Sequence, residues 1–267
     1  MVHYKHCIVT FLDLLGFAQM IGGGASPPVV LKMLRAVRKA AREDADTKNL
    51  LKIEYLCISD CMIRSLALND RAHVTSPELQ SELLQIMHMQ VELLIQGFPV
   101  RGALTHGKVY FKGRTLFGPA YQEAYKIESQ VAKVPRIVID KVVLENFVGY
   151  PEGRGDLQWG NAQDELSSLI RRDNDGEWFI DYLRAMVTEC ESDEGYRDFL
   201  IHHRRLVLGR LAEHATNPDV HKKYVWMQIY HNRVVSEIPS KWFNAVGVSR
   251  TELVIPTTVH GQMHTKQ

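Results

Sequence analysis

Charge of one sign is what the sequence most lacks. Its 32 lysines and arginines almost cancel 31 aspartates and glutamates, leaving a formal net charge of +1. That balance excludes a broad basic face for a nucleic-acid backbone. Cysteine is scarce: Cys7, Cys57, Cys61 and Cys190 contain no Cys-x-x-Cys pair. Neither a disulfide framework nor a four-ligand zinc site is encoded, and the four read as reduced core residues. Long apolar runs are missing too. The N-terminal run is broken by Asp13 and ends in Gly22-Gly23-Gly24. It is too short and too polar for a membrane span and has no small-residue cleavage site. A cytoplasmic protein is expected, with neither membrane nor nucleic acid as partner. The glycine triplet lacks the Gly-Lys-Ser/Thr ending of a P-loop. His202 and His203 are adjacent rather than four apart, so they form no helical zinc pair. Gly153-Arg154-Gly155-Asp156 holds an adhesion-like tripeptide without a secreted context. No internal repeat is present, and 267 residues suffice for a sizeable core.

Two carboxylates stand out. Asp13 lies within Ile8-Val9-Thr10-Phe11-Leu12-Asp13-Leu14-Leu15, and Asp60 within Tyr55-Leu56-Cys57-Ile58-Ser59-Asp60-Cys61-Met62. A charge in such a run is costly unless paired, and neither run holds a lysine or arginine. Two acids at strand ends suggest a divalent-metal site, because hard cations take carboxylate and backbone oxygens together with substrate phosphates.

The pattern predicts a buried strand over 6–13 and a short helix over 14–20. A break at Gly22–Pro28 precedes a helix over 29–44, facing inward with Val30, Leu34, Val37 and Ala41. Strands at 52–59 and 61–68 pair around a short turn. A helix opens at Ser76-Pro77 and faces inward with Leu79, Leu83, Leu84, Met87, Val91 and Leu94. A strand at 100–111, a helix from Pro119 to about Val131 and a strand at 136–140 follow. The order is βαββαβ, with helices covering one face of an antiparallel sheet. Residues 141–175 read as irregular, 178–183 as a last strand or short helix, 194–236 as helical, and the tail from 249 as loose. The fold class is α+β: a ferredoxin-like core over 1–185, a helical extension over 186–248 and a tail over 249–267.

Phe11-Leu12-Asp13-Leu14-Leu15-Gly16-Phe17 resembles the first metal motif of class III nucleotide cyclases. Lys52 to Cys61 resembles the second, with Ser59-Asp60 where Gly-Asp is usual. Val100-Arg101-Gly102 through Gly107 is similar to the family's Arg-x-Gly strand. Phe117-Gly118 with the helix after it, then Pro135 to Ile139, complete the ordered set across residues 5–140. Ala120 to Glu128 and Trp178 to Tyr182 look closest to the bacterial Pycsar pyrimidine cyclases.

The resemblance implies conversion of UTP or CTP to a 3′,5′-cyclic monophosphate, with UTP favoured, on two divalent cations, Mg²⁺ or Mn²⁺. Asp13, Asp60 and the Leu14 carbonyl are the implied metal ligands. The family's transition-state Asn and Arg fall on Gln122 and Lys126, whose spacing puts them on one helix face. Glu123 and Tyr125 are rival polar candidates. Arg172, with Arg171, lies where the family keeps a phosphate-binding lysine, and Arg101 is a further cation for substrate. The purine-reading positions fall on Leu56 and near Thr115, and Tyr55 beside Leu56 offers a hydroxyl. Strand alternation lets only one of Tyr55 and Leu56 face the base. The family's sites lie between two chains, implying a head-to-tail homodimer and a cyclic-nucleotide-activated effector downstream. An adenylyl or guanylyl cyclase, a degenerate nucleotide-binding domain and a palm-like polymerase are the alternative readings.

Overall fold

Ten residues of unbroken strand, β1 (Lys5–Leu14), form an interior strand of the sheet. The computed structural model describes residues 3–42, 53–68, 76–145 and 165–257. Residues 146–164, with Gly153–Asp156, and the tail end 258–267 lie outside the described residues. The described chain divides into two compact units, 1–190 and 191–267.

In the first unit β1 is followed by α1 (Phe17–Gly22) and α2 (Pro27–Arg42). The hairpin β2 (Ile53–Ile58) and β3 (Cys61–Ala67), the helix α3 (Ser76–Ile95) and the long strand β4 (Val100–Lys112) come next. Then come β5 (Thr115–Phe117), α4 (Pro119–Gln130) and β6 (Ile137–Ile139). The sheet runs β2-β3-β1-β4-β6-β8-β7, with β5 paired to β4. Its first four strands have the ferredoxin-like order. β4 and β6 pair in parallel, and the other described pairs are antiparallel.

Helices cover both faces of this sheet, not one as the sequence suggested. Alternate residues of a strand face opposite sides. Val9 and Phe11, with Ile63 and Val109, pack against Ala120 and Ala124 of α4. Thr10 and Arg64 reach the other way, to Glu82 of α3. α3 buries Leu79, Leu83, Met87 and Leu94 as expected, and adds Glu82, which the Arg64 guanidinium neutralises. α2 is rotated from its expected face and buries Met33, Ala36, Val37 and Ala40.

The stretch expected to be irregular holds α5 (Lys141–Glu145), α6 (Glu165–Leu169) and β7 (Ile170–Arg172). β8 (Trp178–Ile180) pairs with β6 and β7, and α7 (Tyr182–Glu189) ends the unit. Arg136, buried, is ion-paired with Asp173 and Asp175 beyond β7. These strands are three residues each, too short for alternation to register in the sequence.

The second unit pairs α8 (Asp193–Glu213) with α9 (Pro218–Glu237), the latter capped by Asn217 with Pro218 behind it. After α10 (Ser240–Ala245) the tail is ordered through residue 257, contrary to expectation. α11 (Arg250–Leu253) has a capping box of Ser249 and Glu252. The extended residues after it are held by side chains. His231 Nε2 meets the Leu253 carbonyl at 2.9 Å, Arg204 the Val254 carbonyl at 3.1 Å, and Asn232 both polar groups of Ile255. His231 also stacks on His203, with Nδ1 atoms 3.1 Å apart. Among the described residues no helix is long and apolar enough to cross a membrane.

Two backbone positions set the site's geometry. A Cβ on Gly102 would lie 2.4 Å from the Phe11 carbonyl oxygen and 2.6 Å from Leu12 Cδ2. Gly102→Ala is expected to push β4 from β1 and cost about 2–3 kcal/mol, read as a lower urea midpoint. Ser59, first of the two turn residues joining β2 and β3, has φ 54, a region only glycine enters freely. Ser59→Gly is expected to leave the fold intact and raise the unfolding free energy by up to about 1 kcal/mol, read from chemical denaturation.

Candidate active site

Cross-strand register gathers the first side chains. Asp13 is paired with Cys61 on β3 and with Arg101 on β4. Directly opposed residues share a face, so Cys61, Asp13 and Arg101 form a row on the side that α4 covers. Asp60 enters from the β2–β3 turn. The Leu14 N–H donates to the Asp60 carbonyl at 3.3 Å and ties the turn to the end of β1. One ligand atom each from Asp13, Asp60 and Cys61 lies within 4.8 Å of the others. Gly16, at φ 87, turns the chain away just after this point and starts α1.

The cation that the run around Asp13 lacks comes from another strand. Arg101 comes from a strand 88 residues away and donates from Nε to Asp13 Oδ2 at 3.0 Å. The same Nε lies 2.8 Å from Oε1 of Glu128, near the end of α4. Glu128 is 4% exposed, and its Oε1 receives no aligned hydrogen bond among the described residues. The Arg101–Glu128 contact is therefore one of charge rather than of hydrogen-bond geometry. Cys61 donates its thiol to Asp13 Oδ1 at 3.4 Å.

Two carboxylates thus share one guanidinium with a third, Asp60, grouped with Asp13, and the electrostatics follow. Burial, then the Asp13 charge, holds the Asp60 carboxyl above its ordinary value. Glu128 is pushed up to about 7, by burial first and by Asp13 and Asp60, against the lowering effect of Arg101. Burial and the same two aspartates raise the Cys61 thiol, so it stays protonated and donates. A divalent cation fits this set. It would relieve repulsion among acids already held together, and Asp13 and Asp60 supply the oxygens.

The remaining sequence candidates stand apart from these acids within one chain. Leu56 pairs with Ile63 and shares the face of Asp13, half-buried. Tyr55 pairs with Arg64 and points to the opposite layer. Thr115 is exposed and pairs with Lys112, eleven residues along β4 from Arg101, roughly 35 Å at strand rise. Gln122 and Lys126 lie on the exposed side of α4, where Lys126 pairs with Glu123 at 3.1 Å. Tyr125 is exposed beside them and meets Phe11 edge-on. Arg172, on the outermost strand, donates to the Gly176 carbonyl, and Arg171 is buried against Asp181. Glu128 was missed in the sequence. Its signal was faint: an acid following Ile127 on the apolar side of the helix.

Raised carboxyl pKa values give a sign. Protonated Glu128 and Asp60 are favoured in the folded state, so their contribution to stability is present at low pH. It is lost as pH rises through the folded values, about 7 for Glu128. Metal-free protein is expected to unfold more readily as pH climbs from about 6.5 to 8, above the range in which the buried His203 and His231, held below their ordinary values by burial, act in the opposite sense. Glu128→Gln should flatten that trend, and saturating Mg²⁺ or Mn²⁺ should offset it. Chemical denaturation across the range checks both.

No protein-family model matches this sequence, and none of the curated proteins does. Among solved structures, the chain is similar to the adenylyl cyclase CyaB from P. aeruginosa at 15% identity and a TM-score of 0.42. That match covers 55% of this chain and 82% of the other. The monomeric guanylyl cyclase domain of the RhoGC fusion protein from the aquatic fungus Blastocladiella emersonii matches at 14% identity and 0.43, over 67% of this chain and 95% of that one. A class III adenylyl cyclase-like ATP-binding protein from Pseudomonas aeruginosa matches at 16% and 0.41, over 55% of this chain and 35% of its own. Likenesses of this size leave activity and substrate to the residues of the site.

Proposed function

We propose that this protein is a nucleotide cyclase acting on a pyrimidine nucleoside triphosphate, UTP before CTP. The observation that carries the reading is the junction of Asp13 and Asp60 with Arg101 at one end of β1. Divalent cations held by Asp13, Asp60 and the Leu14 carbonyl would supply charge neutralisation and activation of the ribose 3′-hydroxyl for in-line attack on the α-phosphorus. The chain's own residues do the rest. Asp13 and Asp60 fix where the triphosphate sits. Arg101 has a part-exposed side chain, and its terminal nitrogens have no hydrogen-bond partner among the described residues. Those nitrogens suit phosphate oxygens of the leaving pyrophosphate. Leu56 presents an apolar surface on the same face and offers no hydrogen bond to a purine edge.

Gln122 and Lys126 cannot reach the acids of their own chain from the outer side of α4. They fit a head-to-tail homodimer in which each chain's exposed helix face completes the other's site. Tyr125, an exposed aromatic on this side, supports such a contact. Thr115 and Arg172 belong to the same reading as contributions from elsewhere. The cyclic product would then act on a separate effector, in antiphage signalling, as the motif resemblance implies.

Incubation with each of the four ribonucleoside triphosphates and Mn²⁺ or Mg²⁺, with products identified by mass spectrometry, tests this. Cyclic UMP or CMP is expected, falling at least about 100-fold in Asp60→Asn. Mixing Asp60→Asn with Lys126→Ala chains should restore about a quarter of the activity, since half of the dimers then carry one intact site of two. Cyclic AMP or GMP would overturn the pyrimidine assignment, linear oligomers the cyclase itself. Absence of turnover with retained nucleotide binding would leave a binding module.

A further inference from the structure

Glu128 has no part in the reading above, yet it is the most buried member of the acidic group. Its carboxylate and that of Asp13 meet the same nitrogen of Arg101, at 2.8 and 3.0 Å. One guanidinium nitrogen cannot serve two carboxylates fully. Here the aligned hydrogen bond goes to Asp13, and Glu128 Oε1 is left buried without one. That oxygen sits in a fixed place. Ile127 beside it is locked against Ala103, Ala132 and Val138, and the helix is anchored by Ala120 and Ala124 on β1.

A cation arriving at Asp13 competes with Arg101 for the same carboxylate. Two positive groups on one oxygen repel, so the arginine must go elsewhere. Release into solvent would lose it from the site. Glu128 offers a buried, negatively charged acceptor already within ion-pair distance.

We propose that Glu128 is a positioning residue for a counter-ion exchange: it takes over Arg101 when a divalent cation claims Asp13. This rests on the reading of Asp13 and Asp60 as the cation site. Before the cation binds, Arg101 neutralises Asp13 and keeps the acids together. Afterwards Glu128 retains the guanidinium beside the cation, aimed at an incoming phosphate. Glu128 thereby lowers the cost of breaking the Asp13–Arg101 pair, and its loss should make cation binding harder.

Mn²⁺ alone, titrated into metal-free full-length protein at mildly alkaline pH and followed by the electron paramagnetic resonance of free Mn²⁺, reads this without turnover. Glu128→Gln should weaken Mn²⁺ binding about ten-fold, and Arg101→Gln should tighten it. With Arg101 already replaced by Gln, Glu128→Gln should change affinity less than about two-fold, since nothing remains to be exchanged. Glu128→Asp, which keeps the charge and loses reach, should fall between, and serves if Glu128→Gln does not fold. Unchanged affinity in Glu128→Gln overturns the exchange. So does an equal loss with and without Arg101, which would make Glu128 a direct attractor of the cation. If wild type and Asp60→Asn bind Mn²⁺ alike, the cation site itself is refuted.

Discussion

The pairing of Asp13 with Arg101 across β1 and β4 is the interaction on which this molecule turns. It exists because of register, not proximity in sequence. Leu12 opposite Gly102 and Asp13 opposite Arg101 are successive pairs of one ladder. Gly102 lets the strands close until its own Cα faces the Phe11 carbonyl. A side chain there would separate the strands where the ion pair needs them close. The arginine offsets the penalty of placing Asp13 among apolar residues. It also brings a cation to the spot where the β2–β3 turn delivers Asp60.

The charge at that spot is out of balance by construction. Asp13, Asp60 and Glu128 outnumber Arg101; Asp13 raises the proton affinity of Asp60, and both aspartates raise that of Glu128. A fold selected for stability alone would place an apolar residue at one of these positions. Tying Asp60 to Leu14 through the backbone prevents the acids from moving apart to relieve their repulsion. The remaining relief is protonation, which weakens as pH rises, or a bound cation. Burial on the α4 side tilts the choice, because a half-dry cluster screens like charges poorly.

Much of the scaffold was legible in the sequence because its signals are local. Short apolar runs announce β1, β3 and β4, and Pro119 after Gly118 announces the start of α4. Asp13 and Asp60 were legible because a carboxylate inside a β-branched run contradicts its surroundings. What was hidden is what depends on pairing between distant segments. Arg101 has partners 88 and 27 residues away in Asp13 and Glu128, and nothing near it in sequence marks either. Tyr55 and Leu56 look equally eligible until the register with Arg64 and Ile63 assigns them to opposite layers. The ordered tail was hidden for a similar reason. Its carbonyls are satisfied by Arg204, Gln228 and Asn232, side chains that read as ordinary helix surface.

Helix α4 carries the geometric argument furthest. Glu128 points inward with Ala120, Ala124 and Ile127, whereas Gln122 and Lys126 lie on the exposed side. At 100° per residue, position 126 lies some 200° around the helix from position 128. No rotation of the helix brings both to one site, since turning Lys126 inward would expose Glu128 and extract two alanines from the sheet. A catalytic role for Gln122 and Lys126 therefore requires a second chain. The inward face of the same helix meanwhile serves the acids of its own. One helix would then connect the two sites of a pair: its buried side adjusts Arg101 in one, and its outer side faces the other.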